Sequence, residues 1–501
     1  MDWELTLVLD PNAREAMYLR VARAIRDDIR RGRLAAGTSL PGTRQLAAVL
    51  GIHRNTTVAA YRELASEGWV ETVPGSGTFV AAAIHPAAAD RGAARSDRNA
   101  TAYPLPSRPE PAALPSAAAS VLALSHLPDP RLVPKVALGR AYRRALRHTT
   151  TAVLDYANRQ HAGATLGHAR LREALAGMLS RTRGLAVTAA DVLVTGGSQM
   201  ALYLAALALV RPGDTIAVEG LGYRPVWEAF RLAGATLVPI PVDDEGLQVE
   251  VLQRLAAQTP VRAVYVTPHH QHPTGVALAP ARRAALLQLA VSARMAILED
   301  DFDSDFDYEG RTTLPLASVD EHGAVLYVGS LSKVLAPGLR IGYAVAPRPV
   351  LELMSERRAF IDRQGDHVLD FAVAELIEEG ELRRHVQRVR AIYAARRAAL
   401  AEALSGMLGD VVTFRPPGRG TAIWATVRDD IDVQAWHERA RHHGVTFTTG
   451  RSLRFDDAPT PHARFGFAGL DAPQLHEAVK RLRAALPDPR ARGRPVRATI
   501  R

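Results

Sequence analysis

The chain has 501 residues, 47% of them apolar and 23% charged, with a formal net charge of +10. One hydrophobic core does not extend over that length, so two or three domains are expected. The absence of cysteine excludes disulfides, thiolate catalysis and Cys-ligated zinc. No stretch approaches the ~18 uninterrupted apolar residues of a membrane span, and the opening MDWELTLVLDP has no basic segment before an apolar run. A cytoplasmic protein with no membrane partner is expected.

Charge alone announces no partner. Residues 1–80 hold ten arginines against nine acids, so any DNA-binding reading rests on where the arginines stand. Lysine is more telling: of 62 basic residues only Lys135, Lys333 and Lys480 are lysines. Arginine serves wherever a positive charge is enough, but only lysine deprotonates to a nucleophilic amine.

The first element is a helix over about residues 15–33, with Val21, Ile25 and Ile29 as its apolar stripe. After a break through Gly37 and Pro41, residues 43–50 and 54–66 read as short helices joined by Gly51-Ile52-His53. Val58, Tyr61 and Ala65 are expected on the inward face of the second. Two strands, WVETV and TFVAA, flank a PGSG turn at 74–77. Three helices and a hairpin make a winged helix-turn-helix, whose second helix of the pair enters the major groove by its first turn. Here that turn offers Arg54 as a fork for guanine, Asn55 as an amide for adenine and Thr56 as a hydroxyl for phosphate. Arg44 opens the preceding helix, and Gly77 sits at the tip of the wing.

Residues 83–118 are rich in Ala, Pro and Arg and read as a linker, and 487–501 as a basic tail. Between them, from about 119 to 486, strands and helices alternate as in a doubly wound α/β domain. Five strand-like runs end in polar residues: DVLVT at Ser198-Gln199, TIAVE at Tyr223, AVYVT at the loop Pro268 to Gly275, AILE at Asp300, and AVLYV at Ser330 to Lys333. Ligands of open α/β sheets bind at such carboxyl ends, so five converging ends describe one site. Its chemistry fits an anionic aldehyde. Ser198 and Gln199 open a long apolar helix whose free N–H groups can take a phosphate. Lys333 can form a Schiff base, Arg340 can hold the phosphate, Asp300 can pair with a pyridinium nitrogen and Tyr223 can stack on the ring.

The run LPGTRQLAAVLGIHRNTTVAAYRELASEGWVETVPGSGTFV resembles the DNA-binding domain of GntR-type regulators over roughly 17–81. That resemblance implies DNA contacts at Arg44, Arg54, Thr56 and Gly77, with Gly42 standing where Ser is usual. SLSK with an arginine seven residues on, after an EDD strand end and an H-x-P-T-G loop, resembles the fold type I aminotransferases over roughly 120–486. Together the halves resemble the MocR family. The expected fold is therefore multidomain: a winged helix-turn-helix (1–82), the linker, and an α/β fold type I aminotransferase-like domain (119–486) with a small subdomain from about 386. The resemblance implies pyridoxal 5′-phosphate as cofactor, an aldimine at Lys333, and a phosphate cup of Ser198, Gln199, Ser330 and Arg340. It also implies Arg464, in ARFGFAGLD, as the receiver of a ligand carboxylate. Two departures stand out: Phe302 replaces the tyrosine expected to bond the ring hydroxyl, and His272 replaces Phe, Tyr or Asn. His272 is accordingly expected to take over the ring-oxygen bond.

No metal is expected. An EF-hand begun at Asp301 would need Gly and Glu where Phe306 and Thr312 stand. The implied function is a regulator that binds double-stranded DNA as a head-to-tail homodimer and senses an amine, an amino acid or the cofactor itself. Residual transamination is left open, and the alternative is an aminotransferase carrying a DNA-binding appendage. A third reading is a regulator whose pocket is empty or takes a non-amine.

Overall fold

The computed structural model describes residues 7, 9, 15–82, 121–148, 164–310 and 313–487, in two compact units that divide between Leu114 and Pro115. The expected linker 83–118 and the tail beyond residue 487 lie outside the described residues.

In the first unit, α1 (Met17–Arg30) buries Val21, Ile25 and Ile29 as its periodicity requires. α2 (Thr43–Leu50) stops at Gly51, whose φ of 63° turns the chain directly toward α3 (Arg54–Ser66). The Tyr61 hydroxyl donates to the Pro41 carbonyl at 2.7 Å, fastening α3 to the start of α2. α3 buries Thr57, Ala60, Tyr61 and Leu64, one face at the spacing i, i+3, i+4, i+7. Ala65, expected on that face, is exposed, because one step past Leu64 turns it about 100° away. β1 (Ser39–Leu40), β2 (Val70–Val73) and β3 (Gly77–Val80) form an antiparallel sheet in the order β1-β3-β2.

The second unit centres on seven strands: β4 (Val192–Thr195), β5 (Thr215–Glu219), β6 (Thr236–Ile240), β7 (Val261–Val266), β8 (Ala296–Asp301), β9 (Val325–Ser330) and β10 (Gly342–Val345). Their order is β4-β10-β9-β8-β7-β5-β6, and only β10 runs antiparallel. Helices cover both faces, Ser198–Leu209 and Arg224–Leu232 against one, Val249–Gln258 and Pro280–Ala293 against the other. Burial on both sides explains the continuous apolar runs of β4, β5 and β9. The five runs read from sequence are β4, β5, β7, β8 and β9, all mutually parallel, so their carboxyl ends share one edge.

A second sheet follows the helix Glu381–Leu408. β11 (Val412–Phe414), β12 (Ala422–Val427), β13 (Thr448–Thr449) and β14 (His462–Gly466) pair in the antiparallel order β11-β12-β14-β13. A strap of chain that precedes the seven-stranded sheet is sewn to this region. Leu122–Ala123 pairs in parallel with Val445–Thr446, and the Gly466 amide donates to the Leu124 carbonyl at 2.9 Å. Gly466 must be glycine here, since a Cβ would lie 2.0 Å from the Ser125 carbonyl oxygen. No helix among the described residues is long and apolar enough to cross a membrane.

Candidate cofactor site and nucleic-acid interface

At the carboxyl edge of the seven-stranded sheet lies a cavity of about 140 Å³. Lys333, Asp300, Tyr223, Ser198, Gln199, Ser330, Arg340, His272 and Phe302 all line it, so the residues read as one site are brought together. His126, Tyr265 and Ser332 line it too.

Lys333 lies three residues past the end of β9. Its Nζ donates to the His126 carbonyl at 3.1 Å, and burial, reinforced by the Arg464 charge, lowers its pKa to about 7. The amine is thereby available as a nucleophile near neutral pH. Asp300, at the end of β8, is 5% exposed. Its Oδ2 accepts from the Tyr265 hydroxyl at 2.9 Å, while Oδ1 is buried with no partner. Burial raises the Asp300 pKa to about 7. A buried carboxylate oxygen left so is costly unless a ligand donor meets it.

The opposite end of the cavity is built for an oxyanion. Ser198–Leu209 begins after Gly197 with no side-chain cap, leaving its first amides open. The Arg340 guanidinium donates to the Gly196 carbonyl at 2.8 Å and lies against Gly197, where a Cβ would meet it at 2.7 Å. Gly197 also has φ +96°, so glycine is required twice over. The Ser330 hydroxyl accepts from the Ser332 amide at 3.1 Å, and the Ser332 hydroxyl is buried and unpartnered.

Between these ends stand aromatic rings. His272 packs edge-on to Tyr223, Phe302 and His126, with centroids 5.9, 5.7 and 6.1 Å apart. Burial, then Arg464 and Lys333, hold the His272 pKa well below the usual imidazole value. The Lys333 charge, then burial, does the same at His126. Both imidazoles are neutral in physiological conditions. The His272 amide donates to Thr267 Oγ1 at 3.1 Å, and that hydroxyl donates to buried Glu219 at 2.7 Å, which fixes the loop. Behind Phe302, His270 stacks at 6.0 Å and bonds Asp303 through Nδ1 at 2.8 Å.

Arg464 is not among the lining residues. It is 3% exposed on β14, its Nε has no partner, and no carboxylate pairs with it among the described residues. Burial lowers its pKa to about 10, and its charge reaches Lys333, His126 and His272. A surface role is thus excluded: the guanidinium is buried with an orphaned Nε, and the Asp303 charge only partly offsets its burial.

Sequence reasoning missed His126, Tyr265 and the His270–Asp303 pair. Nothing in SHLPDP marks His126, whose place depends on the strap's pairing with Val445–Thr446. Tyr265 sat in plain view in AVYVT, where a tyrosine among Val and Ala near a strand end was a usable signal.

Pyridoxal phosphate presents an aldehyde, a phosphate and a pyridine nitrogen, and the lining answers each. Lys333 faces the first, the open amides with Arg340 and the orphaned Ser332 hydroxyl suit the second, and the orphaned Asp300 oxygen suits the third.

In the first unit Arg44, Arg54 and Asn55 are exposed and Thr56 is half-buried. His53 caps α3, its Nδ1 accepting from the Asn55 amide at 3.2 Å, which sets the first turn. Gly77 has φ +124° in the wing. Neither Arg44 nor Arg54 has a carboxylate partner among the described residues, so both guanidiniums are open to phosphate or base edges.

Residues 17–80 match the model of the bacterial regulatory proteins of the gntR family, and 138–482 that of aminotransferase class I and II. The probable rhizopine catabolism regulatory protein MocR of Rhizobium meliloti is 31% identical, over 96% of this chain and 95% of that one. The chain belongs to the MocR-type regulators. This regulator is also 30% identical to the HTH-type transcriptional regulator TauR of Rhodobacter capsulatus, over 95% and 98% of the two chains. Solved aminotransferases resemble its second unit. The α-aminoadipate aminotransferase LysN of Thermus thermophilus, complexed with N-(5′-phosphopyridoxyl)-L-leucine, superposes at TM-score 0.66 with 28% identity, covering 73% of this chain and 92% of that one. Kynurenine aminotransferase of Pyrococcus horikoshii, in complex with PMP, gives 0.67 with 29% identity, over 73% and 90%. The regulator thus joins a GntR-type DNA-binding module to a pyridoxal-phosphate-type domain, and a plain aminotransferase is the poorer description.

Proposed function

We propose that this regulator senses an amine or amino acid, or pyridoxal phosphate itself, at Lys333, and changes how its reader engages an operator. The observation that carries the reading is a buried amine and an orphaned Asp300 oxygen in one cavity of a chain that also bears a GntR-type reader. Pyridoxal phosphate supplies an aldehyde with which amines condense and a ring that withdraws electrons. Lys333 gives the amine, Asp300 holds a proton at the pyridine nitrogen, and Tyr223 stacks on the ring. Ser198, Gln199, Ser330 and Arg340 grip the phosphate, and His272 bonds the ring oxygen in place of the hydroxyl that Phe302 lacks. Arg464 receives the effector's carboxylate. Differential affinity of that effector for two conformations shifts the reader between them.

On the DNA side Arg44, Arg54, Asn55, Thr56 and Gly77 make the contacts. The working unit is a cytoplasmic head-to-tail homodimer, which suits a repeated or palindromic operator. We place the reader in 1–82, the linker in 83–118, the sensor in 119–486 with its small subdomain from about 386, and a basic tail in 487–501.

A second reading, an aminotransferase with a DNA-binding appendage, draws on the co-occurrence of Lys333 and the unpaired Arg464. Gel shift on the upstream region of its own gene, with and without candidate amines, separates the two. Amine-dependent binding by the wild type, abolished in Lys333→Ala, is expected. Multiple-turnover transamination without DNA binding overturns the proposal.

A further inference from the structure

A second and larger cavity, about 520 Å³, lies on the other side of the Lys333 loop. Ser330, Ser332 and Lys333 face the cofactor cavity, whereas Leu331 and Val334 face this one. The five-residue turn is therefore a partition between two chambers. Arg183 ties the second chamber to the strand end that bears Asp300, bonding Asp301 at 2.9 Å and Asp305 at 3.0 Å.

The charges of this chamber do not balance. Three carboxylates line it, and each already has an arginine: Asp305 has Arg183, Asp307 has Arg419 at 3.4 Å, and Glu378 has Arg170. Three further guanidiniums, all solvent-exposed, line it without a carboxylate partner among the described residues: Arg181, Arg383 and Arg390. Arg383 and Arg390 stand at i and i+7 of the helix Glu381–Leu408, and Val386 and Gln387 between them line the same chamber, so one helix face is turned toward it. Arg181 reaches it from the last turn of Ala169–Arg183. Three uncompensated forks around a space of this size suit a small oxyanion carrying two or more charges.

We infer that this chamber is a second ligand site, taking a small polyanion such as a phosphate compound or a dicarboxylate. Its occupant bears on Leu331 and Val334, and so on the placement of Lys333; this last clause rests on Lys333 being the sensing amine.

The test uses the full-length, cofactor-loaded protein, so that the phosphate end of the first cavity is filled. Pyrophosphate and succinate are titrated separately by calorimetry into wild type and Arg383→Gln/Arg390→Gln, with circular dichroism confirming the fold. At least one anion is expected to bind the wild type and to bind the double variant about tenfold more weakly, equivalent to about 1.4 kcal/mol. Which of the two binds distinguishes a phosphate compound from a dicarboxylate. Equal affinity in the two proteins, or no heat from either anion, overturns the inference. The visible absorption of the loaded protein is followed alongside. If wild type shows no visible band the sensing proposal has failed, while the calorimetry still judges the second site.

Discussion

The Tyr265 hydroxyl donates to one oxygen of Asp300 at 2.9 Å and leaves the other oxygen buried and unpartnered. The pair is half a binding site: one oxygen is held in register so that the second can meet a donor that the protein does not supply. Tyr265→Phe is expected to loosen that register and weaken cofactor retention, measured as release during dialysis, while the cofactor-free fold stays intact.

The same carboxylate makes a prediction about pH. Its folded pKa, about 7, lies above the ordinary carboxylate range because it is buried. The folded chain therefore keeps a proton that the unfolded chain gives up, and the stability tied to that proton is full at low pH and lost as pH rises through 7. Asp300→Asn removes the charge. Without cofactor it should be more stable than wild type at pH 8, by about 1 kcal/mol or more, with the gap closing toward pH 4. Denaturant titrations at the two pH values check this. A gap that widens at low pH contradicts it.

Gly197→Ala should damage cofactor binding far more than folding. The added Cβ would fall 2.7 Å from the Arg340 guanidinium, and φ is +96°. Backbone strain costs about 1–2 kcal/mol of stability, whereas displacing Arg340 is expected to weaken cofactor affinity at least tenfold, about 1.4 kcal/mol. Equilibrium absorbance titration of the refolded variant gives the affinity, and its melting curve gives the strain.

The ring-oxygen role of His272 is open to a paired test. His272→Phe should move the pH at which the visible band of the loaded protein changes by about one unit. Phe302→Tyr in that background should return it, since the added hydroxyl can take the ring-oxygen bond that His272 no longer makes. An unmoved midpoint in the single variant means His272 only lines the pocket.

For the reader, Arg44→Ala should weaken binding to all sequences alike and reduce the salt slope by about one. Asn55→Ala should instead cost about 1–3 kcal/mol on the preferred operator and flatten its sequence preference. Fluorescence anisotropy across a salt series distinguishes phosphate contacts from base contacts.

Much of this was legible in the chain. The order and spacing of TRQLAAVLGIHRNTTVAAY fixed the reader's helices because helix period and a left-handed Gly51 act locally. The five strand ends were legible because a buried parallel strand must be apolar and its exit polar. Ala65 was misplaced by one step of the helix, a resolution that pattern alone does not reach when a small residue suits either face. Tyr265 was readable in AVYVT and passed over, whereas His126 was invisible for another reason. What His126 touches is decided by pairing between segments far apart in sequence, and no local rule carries that register. Edge strand β6 and antiparallel β10 escaped for the same cause.

The strap has a practical meaning for how such a chimera can be cut. A fused protein invites the view that its halves are interchangeable parts with an inert seam. Here the stretch from Leu122 to Asp129 leads into the sensor and is also a wall of its pocket, contributing the carbonyl that holds Lys333 and the imidazole that faces His272. A hybrid spliced at residue 130 would exchange a piece of the sensor along with the reader. The seam must be moved ahead of Leu122 if the graft is to keep its own selectivity.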